Sequence, residues 1–142
     1  MNALVLPRSW LILASIVVFF AIATRSSDPR VGDPLATAHR VHDVSIAEAI
    51  ALIDAGALVI DVREGPKTHL PGAMLIPLEV LAAHLSKLEA AKAQSIVVYC
   101  GNGTSRGPRA AHILTQAGFT QVVNLEPGIE GWRAAKLPVV AS

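Results

Sequence analysis

Three short apolar runs, separated by segments with helical spacing, constrain the fold of this 142-residue chain most strongly. They are ALVIDV (residues 57–62), SIVVYC (residues 95–100) and QVVNL (residues 121–125). Runs of this length, bounded by turn residues, predict buried strands. Because helical segments separate them, they favour parallel strands joined by helical crossovers. The sequence therefore predicts an α/β fold with a central, mostly parallel sheet and helices on both faces.

Four segments carry helix signals. In VSIAEAIALIDAG, Ser45 and Glu48 form a capping box at the helix start, and Gly56 marks its end. Residues 78–92 (LEVLAAHLSKLEAAK) have apolar residues at helical spacing. A helix over RAAHILTQAG has Pro108 in its first turn and Gly118 at its end. GIEGWRAAK predicts a last short helix, whereas the prolines and glycine of residues 68–78 predict a turn with at most a short strand.

The N-terminal part is predicted to direct the rest of the chain out of the cytoplasm. Residues 10–23 (WLILASIVVFFAIA) are apolar and uncharged, and the A-x-A pattern at residues 21–23 resembles a signal-peptidase site. The run is shorter than the roughly 20 residues of a membrane span, so a cleaved signal and an uncleaved anchor both stay open. We assign residues 1–24 to this segment, residues 25–40 to a polar linker and residues 41–142 to the folded domain. The domain is therefore expected to be periplasmic or membrane-anchored outside the cytoplasm.

Composition excludes several classes of site. A net charge of +1 gives no basic footprint for nucleic acid. A single cysteine excludes an internal disulfide framework and a cysteine-rich zinc site. His39 and His42 have no third ligand in view and are interpreted as solvated histidines. The sequence predicts no metal and no cofactor.

That one cysteine, Cys100, ends an apolar run and begins the loop CGNGTSR. Gly101 and Gly103 allow successive backbone N–H groups to turn inward, and the following helix adds the positive end of its dipole. Arg106 adds a full positive charge and a fork of donors. These features predict a loop that binds an anion, either the thiolate or an oxyanion above it. The alternative interpretation is an inert cysteine that packs as a small apolar residue.

Four segments in order resemble the single-domain rhodanese family: VIDVRE, HLPGAMLIPLEVL, VVYCGNGTSRGPRAAHILTQAGF and VVNLEPGIEGWRAAKLPV. The resemblance covers about residues 45–140. It implies a rhodanese-like α/β fold. It also implies a cysteine that accepts a sulfane sulfur, becomes a persulfide, and passes the sulfur to a thiophilic acceptor such as a thiol or cyanide, with thiosulfate as the usual donor.

The resemblance also implies roles for individual residues. Cys100 would be the nucleophile and persulfide carrier, and Arg106 would hold the sulfonate of the substrate. Asp61 and Arg63 match the DVR motif and would support the loop through hydrogen bonds. His69 and Trp132 would be structural. The remaining loop residues would cradle the substrate with their backbone: Gly101, Asn102, Gly103, Thr104 and Ser105.

Two departures from the family pattern affect the expected function. Arg106 lies six places after Cys100, one more than in most rhodaneses, and this spacing is that of phosphatases and arsenate reductases on the same fold. Those relatives usually have histidine where Tyr99 stands, and the loop itself contains no acidic residue. The segment between Arg63 and His69 is also shorter than usual, which predicts a more open cysteine. Two alternatives to a sulfurtransferase stay open: an oxyanion enzyme of the phosphatase or arsenate-reductase class, and a non-catalytic module that binds a partner or delivers sulfur to an unidentified protein acceptor.

Overall fold

The computed structural model describes residues 41–142. The predictions of a signal or anchor at residues 1–24 and of a linker at residues 25–40 lie outside the described residues. Within residues 41–142, no helix is long and apolar enough to cross a membrane.

The described chain forms seven strands and four α-helices. The strands are β1 (His42–Val44), β2 (Leu58–Asp61), β3 (Thr68–His69), β4 (Met74–Leu75), β5 (Ser95–Tyr99), β6 (Gln121–Leu125) and β7 (Val140–Ala141). The helices are α1 (Ile46–Asp54), α2 (Leu78–His84), α3 (Arg106–Gln116) and α4 (Gly128–Ala134), with a 3-10 helix, Leu85–Ala91, directly after α2. The three apolar runs are thus β2, β5 and β6, as predicted.

The start of α1 shows how a local signal sets an element boundary. The Ser45 hydroxyl accepts from the Glu48 amide (3.4 Å), and the Glu48 carboxylate accepts from the Ser45 amide (2.8 Å). This reciprocal pair is the predicted capping box, and such caps stabilise a helix by about 1 kcal/mol. The hydrogen bond from the Ser45 backbone also lowers the pKa of Glu48. Gly56, with φ of +94°, follows the end of the helix, also as predicted.

The predicted helix over residues 78–92 divides into two parts. α2 ends at His84, and the 3-10 helix continues to Ala91. Leu88 and Ala91 are buried and Leu85 packs against them, so the apolar residues here are three apart. A 3-10 helix has three residues per turn and places such a series on one face, whereas an α-helix would rotate it away from the core. The predicted helical segment is therefore confirmed, but it changes from an α-helix to a 3-10 helix after His84.

Five strands form the main sheet in the order β1-β6-β5-β2-β4, and every neighbouring pair is parallel. β5 is the central strand. β3 and β7 form a separate antiparallel pair. The short strand β1, which the sequence reading did not predict, pairs with β6 and places the exposed His42 beside Val123. Because all five strands run the same way, their carboxyl ends meet at one edge.

Two apolar clusters cover the two faces of the sheet. One includes α2, the 3-10 helix and α3 with Ile96, Val98 and Cys100. The other includes α1 and α4 with Val97 and Tyr99. Successive side chains of a strand point to opposite faces, so Tyr99 and Cys100 are directed to different sides of the sheet. The predicted α/β architecture with helices on both faces is confirmed.

Candidate active site

Cys100 follows the last residue of β5, at the edge where the carboxyl ends of the parallel strands meet. Its side chain lies in the cluster shared with α3, which includes Ala110 and Ala111, and only 2% of the residue is exposed. The prediction of a more open cysteine was wrong. The short segment after Arg63 does not uncover the thiol, because the thiol is directed into the α3 side of the sheet.

The loop of residues 101–105 connects Cys100 to α3, which begins at Arg106. Gly103 has φ of +80°, and a Cβ there would lie 2.7 Å from the Leu125 carbonyl oxygen and 2.8 Å from Glu126 Cα. Neither approach is tolerable for a real Cβ, and L-residues rarely adopt this φ. The loop therefore needs glycine at this position both for its conformation and for its contact with the end of β6.

The N-terminus of α4 fixes the first part of the loop from the other side. The amide of Ile129 donates to the Cys100 carbonyl (3.1 Å), and the amide of Glu130 donates to the Gly101 carbonyl (2.9 Å). Gly128, with φ of +67°, allows this approach, since a Cβ there would lie 2.6 Å from the Cys100 carbonyl oxygen. Sequence reasoning treated this segment only as a turn into a helix. The glycine directly after Pro127, at the end of a strand, was the available signal of a close contact.

A buried amide that sequence reasoning also missed lies beneath the loop. Asn124 of β6 is fully buried. Its Nδ2 donates to the Gly103 carbonyl (2.8 Å) and to Asp43 Oδ1 (2.7 Å). Its Oδ1 is the buried side-chain oxygen without a hydrogen-bond partner among residues 41–142. The only sequence signal was a polar residue in an otherwise apolar strand.

The outer side of the loop has donors that are used only locally. Asn102 Oδ1 accepts from the amide of Thr104 (3.1 Å) and from its hydroxyl (3.0 Å), and both residues are exposed. Ser105 precedes α3 without a side-chain capping hydrogen bond. The first amides of a helix have no partner within the helix, so this end of α3 is suited to an anion.

Arg106, in the first turn of α3, lies at the rim. Its Nε is 3.7 Å from Glu79 Oε1, and both side chains are about half exposed (45% and 55%). The guanidinium is therefore partly solvated, and its ion pair with Glu79 is an exposed, weak one. A second carboxylate lies near the start of the loop. Glu130 Oε1 is 3.1 Å from the position that a Cβ on Gly101 would occupy.

Asp61 and Arg63 lie on the opposite side of the sheet from the thiol. Arg63 pairs with the buried Asp61 through Nε (3.0 Å to Oδ1) and Nη2 (2.6 Å to Oδ2). Asp61 Oδ2 also accepts from the Tyr99 hydroxyl (2.8 Å), which itself accepts from the Leu70 amide (2.9 Å). Arg63 Nη2 donates to the Thr68 carbonyl (2.6 Å). These bonds fix Tyr99, the residue before Cys100, rather than residues 101–105.

Burial raises the pKa of Tyr99 far above its ordinary value, so this phenol stays protonated and keeps donating to Asp61.

His69 lies in β3 with Nδ1 2.8 Å from the Leu70 carbonyl oxygen. Trp132 is in the core and donates from Nε1 to the Pro138 carbonyl (2.9 Å). Within residues 41–142, no group of three or more His, Cys, Asp or Glu side chains is placed to hold a metal.

The site thus combines a thiol at a strand end, an uncapped helix N-terminus and a half-exposed cation at the rim. Residues 45–135 match the family described as the rhodanese-like domain. The Escherichia coli K12 protein YibN, whose name assigns no activity, is 35% identical over 106 residues, which cover 71% of this chain and 73% of YibN. The thiosulfate sulfurtransferase GlpE of Pseudomonas savastanoi is 32% identical over 90 residues, covering 61% of this chain and 82% of that protein.

Solved structures agree with this assignment. The crystal structure of a rhodanese-related protein from Thermoplasma volcanium superposes with a TM-score of 0.63 at 28% sequence identity, covering 71% of this chain and 99% of that one. The match to the family spans four of the five strands of the main sheet and all four α-helices, including Cys100, the loop and Arg106. The chain therefore belongs to the rhodanese-like domain family.

Proposed function

We propose that this protein is a sulfurtransferase in which Cys100 carries sulfane sulfur as a persulfide. The donor is a small anion such as thiosulfate, and the acceptor is a thiol or cyanide. The observation that supports this most is the position of Cys100 at the end of β5, joined by the short loop 101–105 to the uncapped N-terminus of α3, which has Arg106 in its first turn. The sulfurtransferase GlpE of Pseudomonas savastanoi, 32% identical to this chain, supports the same assignment.

The proposed reaction has two steps. The Cys100 thiolate attacks the sulfane sulfur of thiosulfate, a new S–S bond forms, and the sulfur–sulfur bond of thiosulfate breaks, so that sulfite leaves with the electron pair. Cyanide or a thiolate then attacks the outer sulfur and releases the Cys100 thiolate. Because the thiol is only 2% exposed and packs into the core, the donor must approach from the side of the loop.

In this reaction the loop and Arg106 hold the sulfonate of the donor. Amides at the start of α3 carry partial positive charge, and the guanidinium offers a planar pair of donors to two sulfonate oxygens. Sulfite gains charge as it leaves, so the same donors also stabilise the transition state. Asp61 and Arg63 act on the fold, because their bonds hold Tyr99 and so stabilise the end of β5.

Intact-mass spectrometry of the full chain, before and after thiosulfate, tests the proposal. We expect the mass of one sulfur atom to be added, and to be removed by cyanide with formation of thiocyanate. Cys100→Ser removes the nucleophile, so it should abolish both signals while the far-UV circular dichroism spectrum stays that of the parent. Absence of a sulfur adduct on the reduced, folded parent would refute the proposal.

A phosphatase or arsenate-reductase activity is the second candidate, and two observations favour it. The loop has five residues between Cys100 and Arg106, and Glu130 supplies a carboxylate beside Gly101 that the sequence could not place there. A carboxylic acid next to such a loop could protonate a leaving group. Turnover of an aryl phosphate that is lost in Glu130→Gln would select this function.

A third outcome distinguishes a delivery module from an enzyme. If the protein accepts sulfur but turns over with no small acceptor, the physiological acceptor is another protein.

We also propose, from the apolar residues 10–23, that the domain is exported and either periplasmic or anchored to the membrane. The mass and the membrane or soluble fraction of the protein recovered from its host test both the export and the cleavage.

A further inference from the structure

Asn124 is held in one orientation by its two acceptors. Its Nδ2 donates to Asp43 Oδ1 (2.7 Å) and to the carbonyl of Gly103 (2.8 Å). If the amide were reversed, its oxygen would face both acceptor oxygens and neither hydrogen bond could form. The orientation therefore follows from the bonding, and Oδ1 necessarily faces away from the Gly103 carbonyl.

The hydrogen bond to Gly103 sets the direction of the next amide. In a trans peptide the C=O and N–H bonds lie in one plane and point in opposite directions. The Gly103 carbonyl points inward to Asn124, so the amide of Thr104 points outward. There it donates to Asn102 Oδ1 on the exposed side of the loop. One interior side chain thus orients a donor that faces solvent.

The outer donors of Thr104 form a pair. The amide and the hydroxyl converge on a single oxygen, Asn102 Oδ1, at 3.1 and 3.0 Å. Asn102 is exposed, and its side chain can rotate away at little cost. An oxygen of an incoming anion would accept the same two hydrogen bonds.

Asn124 also contacts the far end of the loop. A Cβ at Gly107, the second residue of α3, would collide with Asn124 Oδ1 and would lie 3.6 Å from Cys100 Sγ. The carboxamide therefore packs between the loop and the start of α3, next to the thiol. Gly107 is the residue that leaves room for it.

We propose that Asn124 is a positioning residue for sulfur loading. It holds the Gly103–Thr104 peptide so that the two Thr104 donors receive the sulfonate of the sulfur donor while its sulfane sulfur reaches Cys100. Asp43 holds the other N–H of the same amide. This inference rests on the proposed sulfurtransferase function.

The test uses the full chain and three variants. Asn124→Asp keeps the size of the side chain and removes both donors. Asp43→Asn keeps an oxygen that can accept from Asn124, and is the conservative control. The double variant Asn124→Asp with Asp43→Asn restores a hydrogen bond between the two positions, donated now from residue 43, but not the bond to Gly103.

For each variant, urea denaturation gives the stability, intact mass gives the rate of sulfur loading from thiosulfate, and alkylation by neutral iodoacetamide reports access to the thiol. We expect Asn124→Asp to lower stability and to slow loading about tenfold, as loss of oriented donors does. Asp43→Asn should load like the parent. The double variant should recover stability but not loading, and alkylation should stay close to the parent rate in all three.

Three results would overturn the inference. The first two apply if the parent loads sulfur. One is that Asn124→Asp loads sulfur as fast as the parent. The other is that the double variant recovers its loading rate together with its stability. A parent that takes up no sulfur is the third, and it removes the proposed function as well. If Asn124→Asp does not fold, Asn124→Ser replaces it, and Asp43→Asn remains the control. Slow loading is again expected only for the variant changed at Asn124.

Discussion

Tyr99 and Cys100 are consecutive, yet the polar groups around them differ in how completely they are paired. On the Tyr99 side, the phenol, the Asp61 carboxylate and the Arg63 guanidinium satisfy one another and three backbone groups. On the Cys100 side, Asn124 Oδ1 has no partner and the start of α3 has no side-chain cap. Buried groups that are fully paired stabilise a fold, whereas free donors such as the first amides of α3 can bind an anion. We infer that one face of β5 supports the structure and that the other face holds the proposed site.

The largest expected effect is on the Tyr99 side. Asp61→Ala removes the partner of Arg63 and the acceptor of Tyr99, and breaking a buried pair of this kind costs about 3 kcal/mol. The free energy of unfolding from urea titration measures it. Asp54→Ala, an exposed carboxylate at the end of α1, is the matched control and should change stability by less than about 0.5 kcal/mol. Equal losses in both variants would contradict a structural role for the Tyr99 side.

Tyr99→Phe is a milder change on the same side. It deletes only the hydroxyl and leaves the Leu70 amide and Asp61 Oδ2 each without one partner, which costs about 2 kcal/mol. The ring still packs, so the folded variant should load sulfur at the parent rate. Slow sulfur loading in a well-folded variant would contradict the purely structural role of the Tyr99 side, since it would give Tyr99 a part in the reaction.

Arg106→Lys should show the opposite pattern. The side chain is half exposed, so stability should hardly change, but the planar fork of donors is lost and loading should slow about tenfold. Arg109→Lys is the control, because Arg109 is exposed one turn further along α3. Stopped loading reactions analysed by mass give both rates. Both substitutions keep the positive charge, so a parent loading rate in Arg106→Lys would mean that charge alone, and not the fork of donors, matters at this position.

The smallest expected effect concerns Glu79. Glu79→Gln removes a charge 3.7 Å from Arg106 Nε and leaves the guanidinium free for an anion, so the KM for thiosulfate should fall about twofold with kcat unchanged. The control is Glu89→Gln, whose carboxylate pairs with Lys92 (2.9 Å) on the 3-10 helix. The gain should disappear at high ionic strength, because exposed pairs are screened. A change in kcat instead of KM would contradict this account.

The sequence predicted those features that depend on neighbours along the chain. Ser45 and Glu48 bond each other across one helical turn, and β5 coincides with the apolar run that leads directly to Cys100. Asn124 could not be predicted in the same way, since its partners Asp43 and Gly103 are distant in sequence. Only the pairing of β6 with β1 and β5 brings them together.

The direction of the cysteine side chain was missed for a related reason. The length of the segment between Arg63 and His69 suggested how far the protein covers the thiol. The alternation of side chains along β5 decides instead which layer of helices the thiol packs against. The division of residues 78–92 into α2 and a 3-10 helix likewise depends on the core beneath it, where Leu88 and Ala91 are buried.

The bonds from α4 to the loop have a practical consequence. The amides of Ile129 and Glu130 donate to the carbonyls of Cys100 and Gly101, so they are protected from solvent deuterium only while the loop keeps its shape. Their exchange rates, read by nuclear magnetic resonance, therefore follow the conformation of the loop without any label on the sulfur. These two amides therefore show, in an unmodified protein, whether the loop changes shape when the thiol is loaded with sulfur.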